Sequence, residues 1–201
     1  MKKTIVKSTF LLLILMISCG GNKDEKTESQ SGKIEVTKNS PTKTTDLFSD
    51  KSELQKAQKE LQDLPEFKGK DVRVFQGFSV YADGRILIDM QNPDKPDNID
   101  SYTYQNGKWS EPQPVQISGD GDMESNTFPL KDVEFETLVK VYKATEDKAA
   151  EIDGGEVNSV VYFDLLVHNQ EKQWRTNING AREKWTGYFN PDGSLQKFEK
   201  N

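Results

Sequence analysis

The stretch Val72-Arg73-Val74-Phe75-Gln76-Gly77-Phe78-Ser79-Val80-Tyr81, followed by Ala82-Asp83-Gly84 and then Arg85-Ile86-Leu87-Ile88-Asp89-Met90, decides the fold. Both runs are rich in β-branched and aromatic residues, and Asp83-Gly84 is a pair that supplies the left-handed backbone of a tight hairpin turn. The stretch predicts two antiparallel strands, 72–81 and 85–90. Downstream, the loop 92–97 leads to a second hairpin, 99–105 and 108–117, joined at Asn106-Gly107. Pro112 and Pro114 have no N–H to give to a ladder, which puts that last strand at an edge. Upstream, Asp50 and Glu53 have capping-box spacing, and Leu54, Ala57, Leu61 and Leu64 repeat with a helical period until Pro65.

The same order then recurs. Phe135, Leu138, Val139 and Tyr142 fall on one face of a helix expected to begin between Pro129 and Asp132 and to close by Asp153-Gly154-Gly155. Strands are expected at 157–167, 172–178, 182–190 and 194–198, with turn residues at His168–Glu171, Asn179-Gly180 and Asn190–Gly193. The expected fold is α+β: two helix-plus-β-meander units, about 47–117 and 130–201, forming one antiparallel sheet with the helices on one face. That arrangement buries Leu54, Leu61, Phe135, Leu138 and Tyr142 against Val74, Ile86, Ile88, Val161 and Phe163. The order of elements resembles the tandem α-β4 repeats of β-lactamase-inhibitor-protein-like and PepSY-type domains, many of them exported. Asn179-Gly180, Trp185, Tyr188, Gly193 and Leu195 also resemble one strand-turn unit of MORN-type repeats. Neither resemblance implies a functional residue.

Ahead of this single expected domain, 47–201, the composition changes. Residues 20–46 are dominated by Lys, Glu, Ser, Thr, Asn and Gly, with Ile34 and Val36 as the sizeable apolar residues. Such a segment cannot bury enough surface to offset its chain entropy, so 19–46 reads as a disordered tether. Residues 1–18 have the layout of a secretory signal: Lys2, Lys3 and Lys7 precede the apolar run Phe10–Ile17. That run is far shorter than the roughly 20 residues that span a bilayer. Met16-Ile17-Ser18-Cys19 resembles the lipobox of bacterial lipoproteins, with Met16 where that family usually has Leu. The resemblance implies cleavage before Cys19 and its acylation, so that the lipid bilayer becomes a partner of the chain. Lys23-Asp24-Glu25 resembles the export signal of surface-exposed Bacteroidota-type lipoproteins. It implies an outer-membrane, surface-exposed location, with a periplasm-facing one as the alternative.

Charge and cysteine content narrow the function classes. Removing residues 1–18 takes three lysines and no acids from a net charge of −6, leaving −9. Nucleic acid is not expected as a partner, because binding it requires Lys and Arg to neutralise phosphates. Cys19 is the only cysteine, which rules out an internal disulfide and a cysteine-based metal or nucleophile site. His168 is the only histidine and falls in an expected hairpin loop, so no triad or histidine metal site is anticipated. The acidic loop 119–124 offers Asp120, Asp122 and Glu124 to calcium, yet it lacks the glycine and glutamate of an EF-hand and reads as a solvated linker. Gly119-Asp120-Gly121 opens like a dinucleotide fingerprint but lacks the third glycine and a preceding parallel strand. No enzyme, cofactor or metal is expected.

Aromatic residues carry the remaining signal. Most are expected in the core, because rings dominate core packing. Some of Tyr102, Tyr104, Trp109, Trp174 and Trp185 are expected on the sheet face that the helices leave uncovered, where Tyr and Trp anchor interfaces. The functional expectation is a non-catalytic, protein-binding envelope lipoprotein, inhibitor- or immunity-like. Two alternatives stand beside it. One is a structural accessory of a secretion, motility or envelope-assembly complex, the better reading if all five rings are buried. The other is a small-ligand or glycan binder, which requires a concave apolar pocket.

Overall fold

A computed structural model describes residues 46–119 and 122–201. Cys19, Lys23, Asp24 and Glu25 lie outside the described residues, as do Asp120 and Gly121 of the acidic loop. Among the described residues no helix is long and apolar enough to cross a membrane.

The first helix, α1 (Lys51–Gln62), starts as its sequence dictates: the Asp50 side chain accepts the Glu53 backbone N–H, satisfying one of the free donors of the first turn. Strands β1 (Arg73–Tyr81), β2 (Ile86–Gln91) and β3 (Ile99–Gln105) follow. The expected strand 108–117 is broken into β4 (Lys108–Trp109) and β5 (Gln113–Val115), both pairing with β3. Pro112 and Pro114 remove two ladder donors there, which accounts for the interruption. A short strand that the sequence did not signal, β6 (Thr127–Pro129), precedes the second helix.

That second helix, α2 (Thr137–Ala149), begins later than its periodicity suggested, and no side chain caps it. Residues Leu130–Asp132 form a single 3₁₀ turn and Val133 is extended. A side chain from α1 holds this lead-in instead: Gln58 donates from Nε2 to the Val133 carbonyl and accepts at Oε1 from the Phe135 N–H, each at 2.8 Å. Strands β7 (Glu156–Val157), β8 (Val160–Leu166), β9 (Glu171–Asn179), β10 (Lys184–Phe189) and β11 (Leu195–Lys200) complete the chain.

All strand pairs are antiparallel, in the order β11-β10-β9-β8-β1-β2-β3-β4, with β5, β6 and β7 pairing beside β3, β1 and β9. The first meander therefore meets the second where β1 pairs with β8, Phe78 opposite Phe163. Strand alternation sends Val74, Phe78, Val80, Ile86, Ile88, Met90, Val161, Phe163, Leu165 and Trp174 into one continuous core. Leu54, Ala57 and Leu61 of α1 and Leu138 and Val141 of α2 belong to the same core. Phe135 is fully buried there, its ring 4.8 Å from that of Phe78. Tyr142 is half-buried and packs against Phe48, the ring centroids 4.6 Å apart and the planes tilted by 40°. No buried side-chain nitrogen or oxygen among the described residues lacks a hydrogen-bond partner.

Candidate binding face

Register assigns each residue of the central strands to one face. Ile86 and Ile88 lie opposite Tyr104 and Tyr102, and Phe163 lies opposite Trp174, so these three rings share the core face. They are at most 2 % exposed. Tyr102 donates its hydroxyl to Glu66 at 3.0 Å, and Tyr104 donates to Glu53. Burial first, and then these carboxylates, push both phenols above their ordinary range. Tyr102, Tyr104 and Trp174 thus correct the expectation of a ring-bearing binding surface. They belong to the core because their cross-strand partners do.

Trp109 and Trp185 are half-buried on the same side. Trp109 donates its indole N–H to the Ala57 carbonyl of α1 at 2.8 Å. Trp185 packs beside Ala149, Ile152 and Ile178 and lies under the Lys148 ammonium of α2, 4.9 Å from the ring centroid. None of the five rings therefore stands on the opposite face of the sheet. His168 is exposed in the turn between β8 and β9. Asp122 spends its carboxylate locally, accepting from the Glu124 and Ser125 backbone and from the Ser125 hydroxyl at 2.6 Å. These bonds hold its carboxyl below the usual range.

The face opposite the core carries different residues: Tyr81, Ser79, Leu87, Asp89, Ser101, Thr103, Tyr162, Asp164, Arg175 and Tyr188, all partly exposed. Three of its tyrosines each lie under a cation. Arg85 is 4.6 Å from the Tyr81 ring centroid, Arg175 is 4.2 Å from that of Tyr162, and Lys197 is 5.0 Å from that of Tyr188. Cation–π attraction at exposed sites is worth about 0.5–1 kcal/mol, enough to bias a rotamer and hold a ring flat against the sheet. Arg175 also donates from Nε to Asp164 at 2.6 Å.

This face is not flat. Between Val74 and Phe78, β1 spends four steps where β2 spends two, Met90 to Ile88. The surplus is a bulge with Gln76 at φ +57° and Gly77 at φ +146°. A Cβ at Gly77 would run into the Phe163 carbonyl of β8, so only glycine allows the two strands to approach there. Gln76 takes a left-handed conformation that is uncommon for a side-chain-bearing residue, and its amide donates to Asn126 at 3.0 Å. Bulges of this kind re-aim side chains and cluster next to functional sites.

Over the bulge lies a concavity of about 290 Å³ lined by Phe75, Gly77, Ser79, Leu87, Asp89, Tyr162 and Asp164. It is shallow and its lining is mainly polar, with Phe75 and Leu87 as apolar patches and two carboxylates among the polar groups. Asp164 on β8 is paired with Arg175, whereas no side chain among the described residues bonds or pairs with Asp89 on β2, across β1 from it. No group of His, Cys, Asp and Glu able to hold a metal occurs among the described residues. The sequence held one cue to this face. Tyr162 and Asp164 alternate with Val161, Phe163 and Leu165, so one of the two sets must point outward.

No family model, no curated protein and no solved structure matches this chain.

Proposed function

We propose that the chain is a lipid-anchored envelope lipoprotein whose folded region is a non-catalytic protein-binding module, using the sheet face opposite the core. The architecture behind it is two helix-plus-meander units, 47–117 and 130–201, with both helices on one side of the shared sheet and the other side left for a partner. The observation that carries the reading is the shaped centre of that face: a concavity over the Gly77 bulge, bordered by the cation-held ring of Tyr162. Tyrosine beside arginine is the composition typical of interface anchors, and rings held in place lose little freedom on binding. The five rings picked out by the sequence are replaced in this role by Tyr81, Tyr162 and Tyr188. An accessory role in a larger assembly is the alternative: three of the five rings are buried and Trp109 and Trp185 half-buried, and that role would show itself by co-purification with a large complex.

Cys19 is the anchor in this proposal, and Lys23-Asp24-Glu25 the signal for the outer surface. Cys19→Ala should release the protein from membranes without changing its melting temperature. Persistence in the membrane fraction after a high-salt wash would contradict the anchor. Changing Lys23, Asp24 and Glu25 to alanine should remove protease accessibility on intact cells. For the binding face, the test is capture from envelope extracts by the parent protein and by the Leu87→Lys, Tyr188→Lys double variant. The reading predicts a discrete partner that the double variant loses and an α1 surface variant, Lys59→Glu, keeps. Equal capture by all three would contradict it.

A further inference from the structure

We infer that the concavity over Gly77 receives a basic side chain, lysine or arginine, from the protein partner. This inference rests on the binding-face reading and adds the chemistry of the partner. Asp89 on β2 and Asp164 on β8 flank Gly77 of β1 from either side. They stand two strand spacings apart, about 10 Å between backbones. Because Gly77 has no side chain, the space between them is floored by backbone, with Ser79, Leu87 and Tyr162 along one end and Phe75 toward the other. A single long side chain fits such a slot. Its alkyl stem would lie on Leu87 and the rings while its charged head reaches the carboxylates, the division of labour seen wherever Lys and Arg bury their stems.

Charge complementarity selects the occupant. Asp164 is already paired with Arg175 through one oxygen at 2.6 Å, so Asp89 is the slot carboxylate left without a charged partner among the described residues. An acidic or neutral group would leave that carboxylate desolvated without a partner, which is costly. A basic head neutralises it at a partly exposed position, and the partner's own surface would complete the exclusion of water there. The chain's net charge of −6 adds long-range attraction for a basic segment.

The test uses small probes on the full chain, held in detergent and labelled for amide NMR. N-acetyl-arginine amide and N-acetyl-lysine amide are titrated beside N-acetyl-citrulline amide, which keeps the shape of arginine and lacks its charge. The inference predicts saturable shifts at Gly77, Ser79, Asp89 and Asp164 for the basic probes, with dissociation constants on the order of 1 mM. It predicts at least tenfold weaker binding of citrulline, and a similar loss for basic probes on Asp89→Asn with an unchanged melting temperature. Equal shifts from citrulline, shifts scattered over the acidic surface, or no saturation would overturn it. Partner capture separates the two claims. If Asp89→Asn captures the partner as well as the parent while the Leu87→Lys, Tyr188→Lys variant does not, the slot assignment falls and the binding face stands. If neither variant changes capture, the face itself is wrong.

Discussion

Tyrosine stands on both faces of the sheet, and the two sets are held in different ways. On the core face, Tyr102 and Tyr104 are sealed among aliphatic residues and pass their hydroxyls to Glu66 and Glu53. On the other face, Tyr81, Tyr162 and Tyr188 lie under Arg85, Arg175 and Lys197 and keep access to water. The first arrangement stabilises the fold by removing rings from solvent. The second orders rings that remain partly in contact with solvent. The cross-strand pairs differ accordingly: Tyr102 and Tyr104 face Ile88 and Ile86, whereas Tyr162 faces Arg175 and Tyr188 faces Lys197.

This contrast breaks first where it is strongest, in the core. Phe135 touches Phe78 and is fully buried, so Phe135→Ala should cost roughly 3–5 kcal/mol, read from denaturant midpoints at constant m-value. A loss below about 1 kcal/mol would mean that the site collapses freely or that the ring is not packed as described. Next comes Gln58→Leu, which keeps the volume of the side chain and strands the Val133 carbonyl and the Phe135 N–H. Roughly 1–3 kcal/mol is expected for each backbone group left unpaired.

The core tyrosines add a pH dependence with a definite sign. Both phenols titrate higher in the folded state than the ordinary value near 10, so between that value and the folded one the native state holds protons that the unfolded chain has lost. Their contribution is fully present below about pH 10 and is lost as pH rises beyond it. Stability should fall on the alkaline side, and the slope should shrink in Tyr102→Phe and Tyr104→Phe. An unchanged slope in both variants would place the titration elsewhere. The smallest effect belongs to the opposite face: Thr103→Ala should shift stability by no more than about 0.5 kcal/mol. A larger loss would show that this face is covered by something in the folded chain.

Local chemistry made much of this legible. Asp50 and the 54-57-61 spacing announced α1, Asp83-Gly84 the hairpin of β1 and β2, and the prolines at 112 and 114 an edge strand, though not its interruption. What escaped was set by distant residues. The start of α2 depends on Gln58, 75 residues from the carbonyl it holds, and β6 is three residues long with no pattern of its own. The choice of outward rings failed for a related reason. A strand's alternation gives two sets of residues, and only the pairing of Tyr102 with Ile88 and of Trp174 with Phe163 tells which set is inside. The bulge at Gln76 and Gly77 had one cue, a glycine inside a strand pattern, but its register shift is set by the pairing with β2.

Photo-crosslinking in intact cells tests the central claim most directly. A photoreactive amino acid placed at Thr103, on the face opposite the core, should give a discrete adduct with a second protein. The same group at Lys59, exposed on α1, should give none. Adducts from Lys59 alone, or the same adducts from both positions, would contradict the assignment of the open sheet face as the binding surface.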